Sequence, residues 1–365
     1  MIELKGEHNN CIIYTEDIEN TARERLQSYI DSPQSKDTKI RVMPDVHDGE
    51  GTVIGFTSTI ADCINPSFVG VDIGCGVLTV FVEVAVNKFK RKDFMALLDS
   101  RIRDIIPMGF NSHKQLMGDM HIYGIEDLCQ KIGISYDLVC RQLGTLGGGN
   151  HFIELGVRDD NSIAITIHTG SRALGHKVWE YYNEKAKDTN GWLYGELMEE
   201  YLDDMHICSE YAKLNRTTII NLIKAYISDI LYIKGFIDTM HNYVDMDENI
   251  IRKGAVSANK DEVFVIPLNM KDGVIVCAGK GNDDWNYSAP HGAGRIFSRK
   301  KAKRELRLTD FKKATKRVYS INKSKDYLDE SPMAYKNAER LIKRIKDTAT
   351  VIGVIRPILN IKAQK

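Results

Sequence analysis

An irregular α+β fold with mixed and antiparallel sheets is what this sequence predicts, and three observations point to it. Short β-branched runs bounded by Gly, Asp and Asn open the chain, long helical stretches occupy its middle, and the two kinds of element do not alternate regularly. Regular alternation would instead have pointed to a doubly wound parallel sheet. No repeat, low-complexity tract or Pro/Gly/Ser-rich linker divides the chain, so residues 1–365 are expected to form a single domain around a central cleft.

In chain order, KIRVMPDV, TVIGFTSTI and VLTVFVEVAV read as strands, separated by turn residues. A helix is expected over Lys90–Ile105. Strand-like runs recur at Phe152–Leu155, Ser162–His168, Glu262–Ile266 and Val274–Cys277, where β-branched residues cluster. Helical spacing marks Lys177–Lys187 and Met198–Ile233, and a further helix is expected over Ser331–Asp347. The chain then closes on a strand, VIGVIRPILNI.

Composition narrows the function classes. Fifty basic residues balance fifty acidic ones, so any surface for nucleic acid must be local. One such feature exists: between Ser298 and Ser320 there are ten Lys/Arg against Glu305 and Asp310. On its own it reads as a solvated helix face, but it directly follows a glycine-rich histidine loop, which favours a phosphate-facing role. No apolar run approaches the roughly 18–20 residues that span a bilayer. MIELKGEHNN lacks the basic and apolar regions of a signal peptide. Seven scattered cysteines without a CxxC pair suit reduced thiols, so a cytoplasmic protein with no membrane partner is expected.

Four segments bring metal-binding side chains to places where a strand meets a turn. VGVDIGCG offers Asp72 and Cys75, LGTLGGGNHFIEL offers Asn150, His151 and Glu154, IAITIHTGSR offers His168, and HNYVD offers His241 and Asn242. Imidazole, carboxylate and thiolate are the ligands of Mn/Zn-type ions. Each histidine alone is more often a satisfied core residue, and it is their co-occurrence that argues for a metal site. Gly147–Gly149 permit close backbone approach to an anion, although neither a Walker-A loop nor a GxGxxG fingerprint is present. YSAPHGAGRIFSRKKAKR sets His291 between glycines, with Arg295 nearby, as a histidine able to attack phosphorus through a ring nitrogen.

Taken together, PDVHDGEG, VGVDIGCG, LGTLGGGNHFIEL, HTGSR, HNYV, RKGAVSA, GKGN, HGAGR and LNIK resemble the motifs of the RtcB family of RNA-splicing and RNA-repair ligases. They occur in family order between Met43 and Lys362. The resemblance implies two Mn²⁺ ions, one held by Asp72, Cys75 and His151, the other by Cys75, His168 and His241. It implies guanylylation of His291 by GTP. Nucleotide contacts would come from Asn150, Asn242, Asn269, Asp284, Ser288, Gly292, Ala293, Gly294 and Lys362, and RNA-phosphate contacts from Arg172, Lys253 and Arg295. The implied partners are GTP and RNA carrying 2′,3′-cyclic phosphate or 3′-phosphate and 5′-hydroxyl ends. A monomer is expected, with an activating partner left open.

The chain departs from the family pattern in several places. Leu268–Asn269 stands where a Gly–Ser pair is common, Asp284 where a glutamate is expected, Pro290 precedes His291, and the chain ends IKAQK. Two other readings use the same residues: a metal-dependent RNA-end phosphoesterase that does not ligate, and a non-catalytic RNA-end-binding factor.

Overall fold

The computed structural model describes residues 1–83, 91–118, 120–226 and 232–364. Two sheets dominate it, as expected for an α+β fold. The larger has seven strands in the order Tyr232–Met240, Gly76–Glu83, Ile163–Thr169, Phe152–Arg158, Ala349–Ile361, Gly273–Gly279 and Val263–Asn269. Every neighbouring pair in it is antiparallel. The smaller runs Ile2–Lys5, Asn10–Ile13, Ile40–His47, Ile54–Thr59, Ile250–Lys253 and Asn242–Asp245. It is mixed, because Asn10–Ile13 lies parallel to Ile40–His47.

The helix Gly195–Tyr226 links the two halves of the core. Its C-terminal residues Ile219, Ile220 and Ile223 pack on Leu78, Val80 and Ile165 of the seven-stranded sheet. Its N-terminal part places Leu202, Met205 and Cys208 among Leu26, Val42 and Phe56 of the other half. At about 1.5 Å per residue a helix of this length spans both. The centre of Ile163–Thr169 is buried on both faces, which is why that strand reads as a continuous apolar run rather than an alternating one.

The expected strands near Ile40, Ile54, Phe152, Ile163, Val263, Gly273 and Ala349 all form, with boundaries shifted by a few residues. VLTVFVEVAV is strand through Glu83, and its last three residues lie outside the described ones, as does Lys90 ahead of the helix Lys92–Ile105. The helix expected from Lys177 begins earlier, at Arg172. Met198–Ile233 is helical through Tyr226. Residues 227–231 are outside the described ones, and Ile233 belongs to the strand Tyr232–Met240. The long helix expected over Ser331–Asp347 is corrected to one short helix, Ala338–Arg344, between 3₁₀ turns at Pro332–Ala334 and Ile345–Asp347. Asn337 explains the late start: its side chain accepts from the Arg340 amide, an N-cap that terminates the extended Tyr335–Lys336 stretch.

The seven cysteines are buried thiols, and no disulfide joins them. Among the described residues no helix is long and apolar enough to cross a membrane.

Candidate active site

Four adjacent strands of the seven-stranded sheet end, or begin, at the same edge of the molecule. His241 follows Tyr232–Met240, Cys75 precedes Gly76–Glu83, His168 is the next-to-last residue of Ile163–Thr169, and His151 precedes Phe152–Arg158. The register fixes their proximity: Met240 lies opposite Gly76, Val77 opposite His168, and His168 opposite Phe152. His241 is also where the chain passes from one sheet to the other, since Asn242–Asp245 belongs to the six-stranded sheet. Two backbone bonds lock the crossing, His241 N–H to the Cys75 carbonyl at 2.9 Å and Gly74 N–H to the Asn242 carbonyl at 2.8 Å.

The donor atoms form one continuous chain. Asp72 Oδ2 lies 2.9 Å from His151 Nε2, which is 3.4 Å from Cys75 Sγ. Cys75 Sγ is 3.3 Å from His168 Nε2, and that nitrogen is 3.4 Å from His241 Nε2. Cys75, His151 and His168 offer ligand atoms all within 4.8 Å of one another. Cys75, His151, His168 and His241 are buried, and Asp72 is half-buried. Burial pushes the Cys75 thiol well above its usual range and the His168 and His241 imidazoles well below theirs. Burial also opposes ionisation of Asp72, yet its bond to His151 holds the carboxyl below the ordinary range. Ring nitrogens of two imidazoles facing each other and a thiol in a buried setting make an arrangement that a divalent transition-metal cation satisfies. The five residues therefore fit a metal centre, and Cys75 divides the chain of donors into two sets of three.

Gly147 serves this centre by its lack of a side chain. A Cβ there would lie 1.8 Å from His151 Nδ1, so the loop can approach the ring only as glycine. Within the Gly147–Gly149 run only Gly149 has a positive φ, 69°, so the first glycine is required for space and not for backbone freedom. Gly147→Ala is expected to tilt the His151 ring and weaken divalent-cation binding by roughly 10–100-fold, as loss of ligand orientation does elsewhere. Calorimetric titration with Mn²⁺ measures this, and unchanged affinity would mean the ring has room to spare.

His291 stands beside the cluster, its ring centroid 4.9 Å from that of His241. It follows the short strand Ser288–Pro290, which pairs with Ala255–Ser257, so Pro290 sits at a strand end. His291 Nδ1 bonds Asp45 Oδ2 at 2.8 Å. Asp45 is fully buried within Ile40–His47. An acceptor at Nδ1 fixes the Nδ1–H tautomer and leaves the Nε2 lone pair outward. Gly294, at φ 75°, lets the loop return over the Asp45 backbone, where a Cβ would meet the carbonyl oxygen at 2.3 Å. Sequence reasoning gave Asp45 no role. The available signal was a carboxylate inside an apolar strand run.

His168 and His291 open onto a cavity of about 400 Å³, a size that accepts a nucleotide. Asn150, Asn269, His291, Gly292, Ala293, Gly294, Arg295 and Lys362 of the expected contacts line it. Lys362 is buried there, its Nζ 3.0 Å from Glu330 Oε2 and 3.4 Å from the Asn150 carbonyl. Glu330 is buried too, and although burial alone would raise its pKa, Lys362, Arg299 and Arg295 hold it at about 2.

Other expected contacts are placed elsewhere. Asp284 is exposed on the 3₁₀ turn Asp283–Trp285, where its backbone carbonyl accepts from Tyr14 and Arg41, and it does not line the cavity. Ser288 is fully buried, accepting from Arg252 Nε at 2.9 Å and donating to the Asn286 carbonyl. Asn242 spends its side-chain amide on the Asp72 carbonyl and the Gly254 amide, at 3.2 and 3.0 Å. Asn269 does line the cavity, yet its side chain mainly caps the turn at Lys271–Asp272. Glu154 is one of the acidic groups in the cavity wall, its Oε2 accepting from Asn360 Nδ2 at 2.8 Å.

The three cations expected on RNA phosphate are engaged internally. Arg172 bonds Thr145 Oγ1 at 3.1 Å and the Gly109 carbonyl. Lys253 is buried against the carbonyls of Glu50 and Ser67, and desolvation lowers its pKa to about 8. Arg295 bonds the carbonyls of Phe297 and Asp329 and the Tyr335 hydroxyl.

A family model described as tRNA-splicing ligase RtcB matches residues 32–132 and 134–363. The RNA-splicing ligase RtcB of Escherichia coli K12 is 29% identical over 368 residues, which cover 88% of this chain and 90% of that protein. RNA-splicing ligase RtcB2 of a second Escherichia coli strain is 24% identical, covering 94% of this chain and 93% of its own. The tRNA-splicing ligase RtcB of Nanoarchaeum equitans is 25% identical, with 88% and 87% covered. The matches run through the strand ends that carry the cysteine, the histidines and the glycine loop around His291, and on that breadth this chain belongs to the RtcB family.

Proposed function

We propose that this chain, acting as one catalytic unit, is a GTP-dependent RNA ligase that joins 2′,3′-cyclic phosphate or 3′-phosphate ends to 5′-hydroxyl ends. The observation that carries the reading is the placement of His291 between a five-residue donor chain and a nucleotide-sized cavity. Asp72, Cys75 and His151 would hold one Mn²⁺, and Cys75, His168 and His241 the other. Bound there, the ions would neutralise phosphate charge and act as Lewis acids.

The residues of the chain account for the remaining chemistry. Water opens a cyclic phosphate end to a 3′-phosphate. His291 Nε2, its lone pair set by Asp45, attacks the α-phosphorus of GTP. A nitrogen–phosphorus bond forms as the bond to pyrophosphate breaks, and the Nδ1 proton stays hydrogen-bonded to the Asp45 carboxylate. An oxygen of the RNA 3′-phosphate then takes GMP from the histidine. The 5′-hydroxyl of the second strand attacks the 3′-phosphorus and GMP departs.

The cavity edge supports guanine. A guanine base presents N1–H and N2–H₂ donors beside the O6 acceptor. Glu154 and the otherwise unpartnered Oδ1 of Asn360 are acceptors, and Lys362 is a donor. Adenine would offer the wrong pattern on this edge. Burial raises the Glu154 pKa to about 7. The neutral acid's contribution to stability is therefore complete below the unfolded value and is lost as pH rises through about 7. Guanine donors favour the ionised form, so GTP affinity is expected to rise from pH 6 to pH 8, by up to about tenfold per unit below the pKa. Glu154→Gln should flatten that dependence. A flat wild-type profile would remove Glu154 from the guanine edge.

Incubation with labelled GTP and Mn²⁺ tests the whole reading. A guanylate mapped to His291 and a joined RNA product are expected. Opened 3′-phosphate ends without joined product would point to a phosphoesterase instead.

A further inference from the structure

The chemistry above leaves a second and larger groove, about 1020 Å³, without a role. It adjoins the nucleotide cavity, for Asn269, Ala293 and Tyr335 line both. Two short helices flank it, Leu308–Ala314 and Ala338–Arg344. Lys313, Lys316 and Arg317 line it from the end of the first helix and the turn beyond, and Arg340 and Arg344 from the second. Arg340 and Arg344, four residues apart, share one face of their helix, while Lys313 sits in the last turn of the other helix and Lys316 and Arg317 lie in the turn beyond it. Like charges therefore gather on the groove and repel unless something answers them.

Among the described residues no acidic side chain answers them. Eight Lys/Arg line the groove against three Asp, in a chain whose basic and acidic residues cancel overall. Of those acids, Asp310 is paired with Arg307, and Asp272 is engaged by Lys271 and Asn269. Among the described residues no ion pair engages Lys313, Lys316, Arg317, Arg340 or Arg344. The wall between the rows is partly apolar and aromatic, with Tyr335 and an Ile296 that is 42% exposed. A basic track with apolar and aromatic surface beside it is what a single-stranded nucleic acid binds.

We propose that this groove holds the phosphodiester backbone of a single-stranded arm of the RNA whose end reacts at His291. Naming RNA rests on the ligase reading above. Continuity with the cavity favours it over an acidic protein, because a strand whose terminus reaches His291 must leave the cavity past some wall, and this wall leads into five unpaired cations.

Fluorescence anisotropy at several salt concentrations tests this, using a dinucleotide ending in a 3′-phosphate and a longer single strand with the same end. In the Lys313→Gln/Lys316→Gln/Arg317→Gln variant the longer strand should bind roughly tenfold or more weakly, with a log–log salt slope shallower by about 2. Dinucleotide binding and guanylylation of the protein by GTP should be unchanged. Arg340→Gln/Arg344→Gln, on the facing wall, should act in the same direction. Wild-type affinity and slope for the longer strand in both variants would overturn the proposal, and would be the result if the groove served an acidic protein. Absence of guanylylation in the parent protein would instead sink the ligase reading, while anisotropy would still judge the groove.

Discussion

His291→Ala is expected to take up no guanylate from GTP and to lose RNA joining by a factor on the order of 10⁴ or more, the scale seen when a covalent nucleophile is deleted. Intact mass of the protein after incubation with GTP and Mn²⁺ reads the first effect, and a labelled-RNA gel reads the second. Divalent-cation affinity should stay close to wild type, because the donor chain from Asp72 to His241 does not include His291. A variant that still gains the mass of GMP would take the nucleophile's role from this residue. The stronger test of mechanism is Asp45. Its carboxylate lies 2.8 Å from His291 Nδ1 and is fully buried, so it sets which nitrogen carries the proton. Asp45→Ala is expected to slow guanylylation by about 10²–10⁴-fold, the range attached to fixing an imidazole tautomer. Asp45→Asn keeps the shape but can turn an amide N–H towards Nδ1 and favour the other tautomer, so it should be slowed on a similar scale while folding as wild type. A wild-type rate in the Asn variant would mean that the carboxylate holds the strand and not the proton.

The candidate metal donors were legible in the sequence because Cys75, His151, His168 and His241 each sit at or beside a strand end, and strand ends can be read from periodicity. Cys75, His151, His168 and His241 come from four segments spread over much of the chain, yet antiparallel pairing puts their strands side by side. The cavity lining was less legible. Asp284 was expected at the nucleotide because the family resemblance puts an acidic residue at its position, close to His291 in the chain. The short strand Ser288–Pro290 separates them, leaving Asp284 beside Tyr14 and Arg41. Glu154 was visible in the same motif as His151, but only the strand alternation shows that it points past the donor cluster to the cavity. Asp45 was hidden for a different reason: its partner is 246 residues away, a separation that no local pattern encodes. The internal engagement of Lys253 was not legible, because a buried lysine held by two carbonyls leaves the same sequence trace as a phosphate-binding one. The shortened helix at Ala338–Arg344 followed from cap chemistry, since Asn337 was read as interior when it is the helix start.

Arg216→Met is expected to destabilise the protein by about 3–5 kcal/mol, the cost of leaving a buried charge partner unmatched. The guanidinium is fully buried in the helix Gly195–Tyr226 and is forked onto Asp238, Nε to Oδ1 at 2.7 Å and Nη2 to Oδ2 at 2.9 Å. Its remaining nitrogen donates to the carbonyls of Gly74 and Thr169, at 2.9 and 3.0 Å. Gly74 immediately precedes Cys75, Thr169 immediately follows His168, and Asp238 lies on the strand that leads into His241. One side chain therefore ties together three of the strand ends that carry the donor set. Removing it strands a carboxylate and two carbonyls, and it frees those strand ends to separate. Urea unfolding should show a lower midpoint with an unchanged slope, and the folded variant should also bind Mn²⁺ more weakly. Arg216→Lys keeps the charge but has no planar fork to reach all three partners, so it should recover only part of the stability. Replacing both partners of the ion pair, Arg216→Met with Asp238→Leu, separates the two roles. If the charge pair alone matters, stability returns towards wild type while metal binding stays weak, because the Gly74 and Thr169 carbonyls still lack their donor. Full recovery of metal affinity in the double variant would show that the strand ends hold their positions without Arg216.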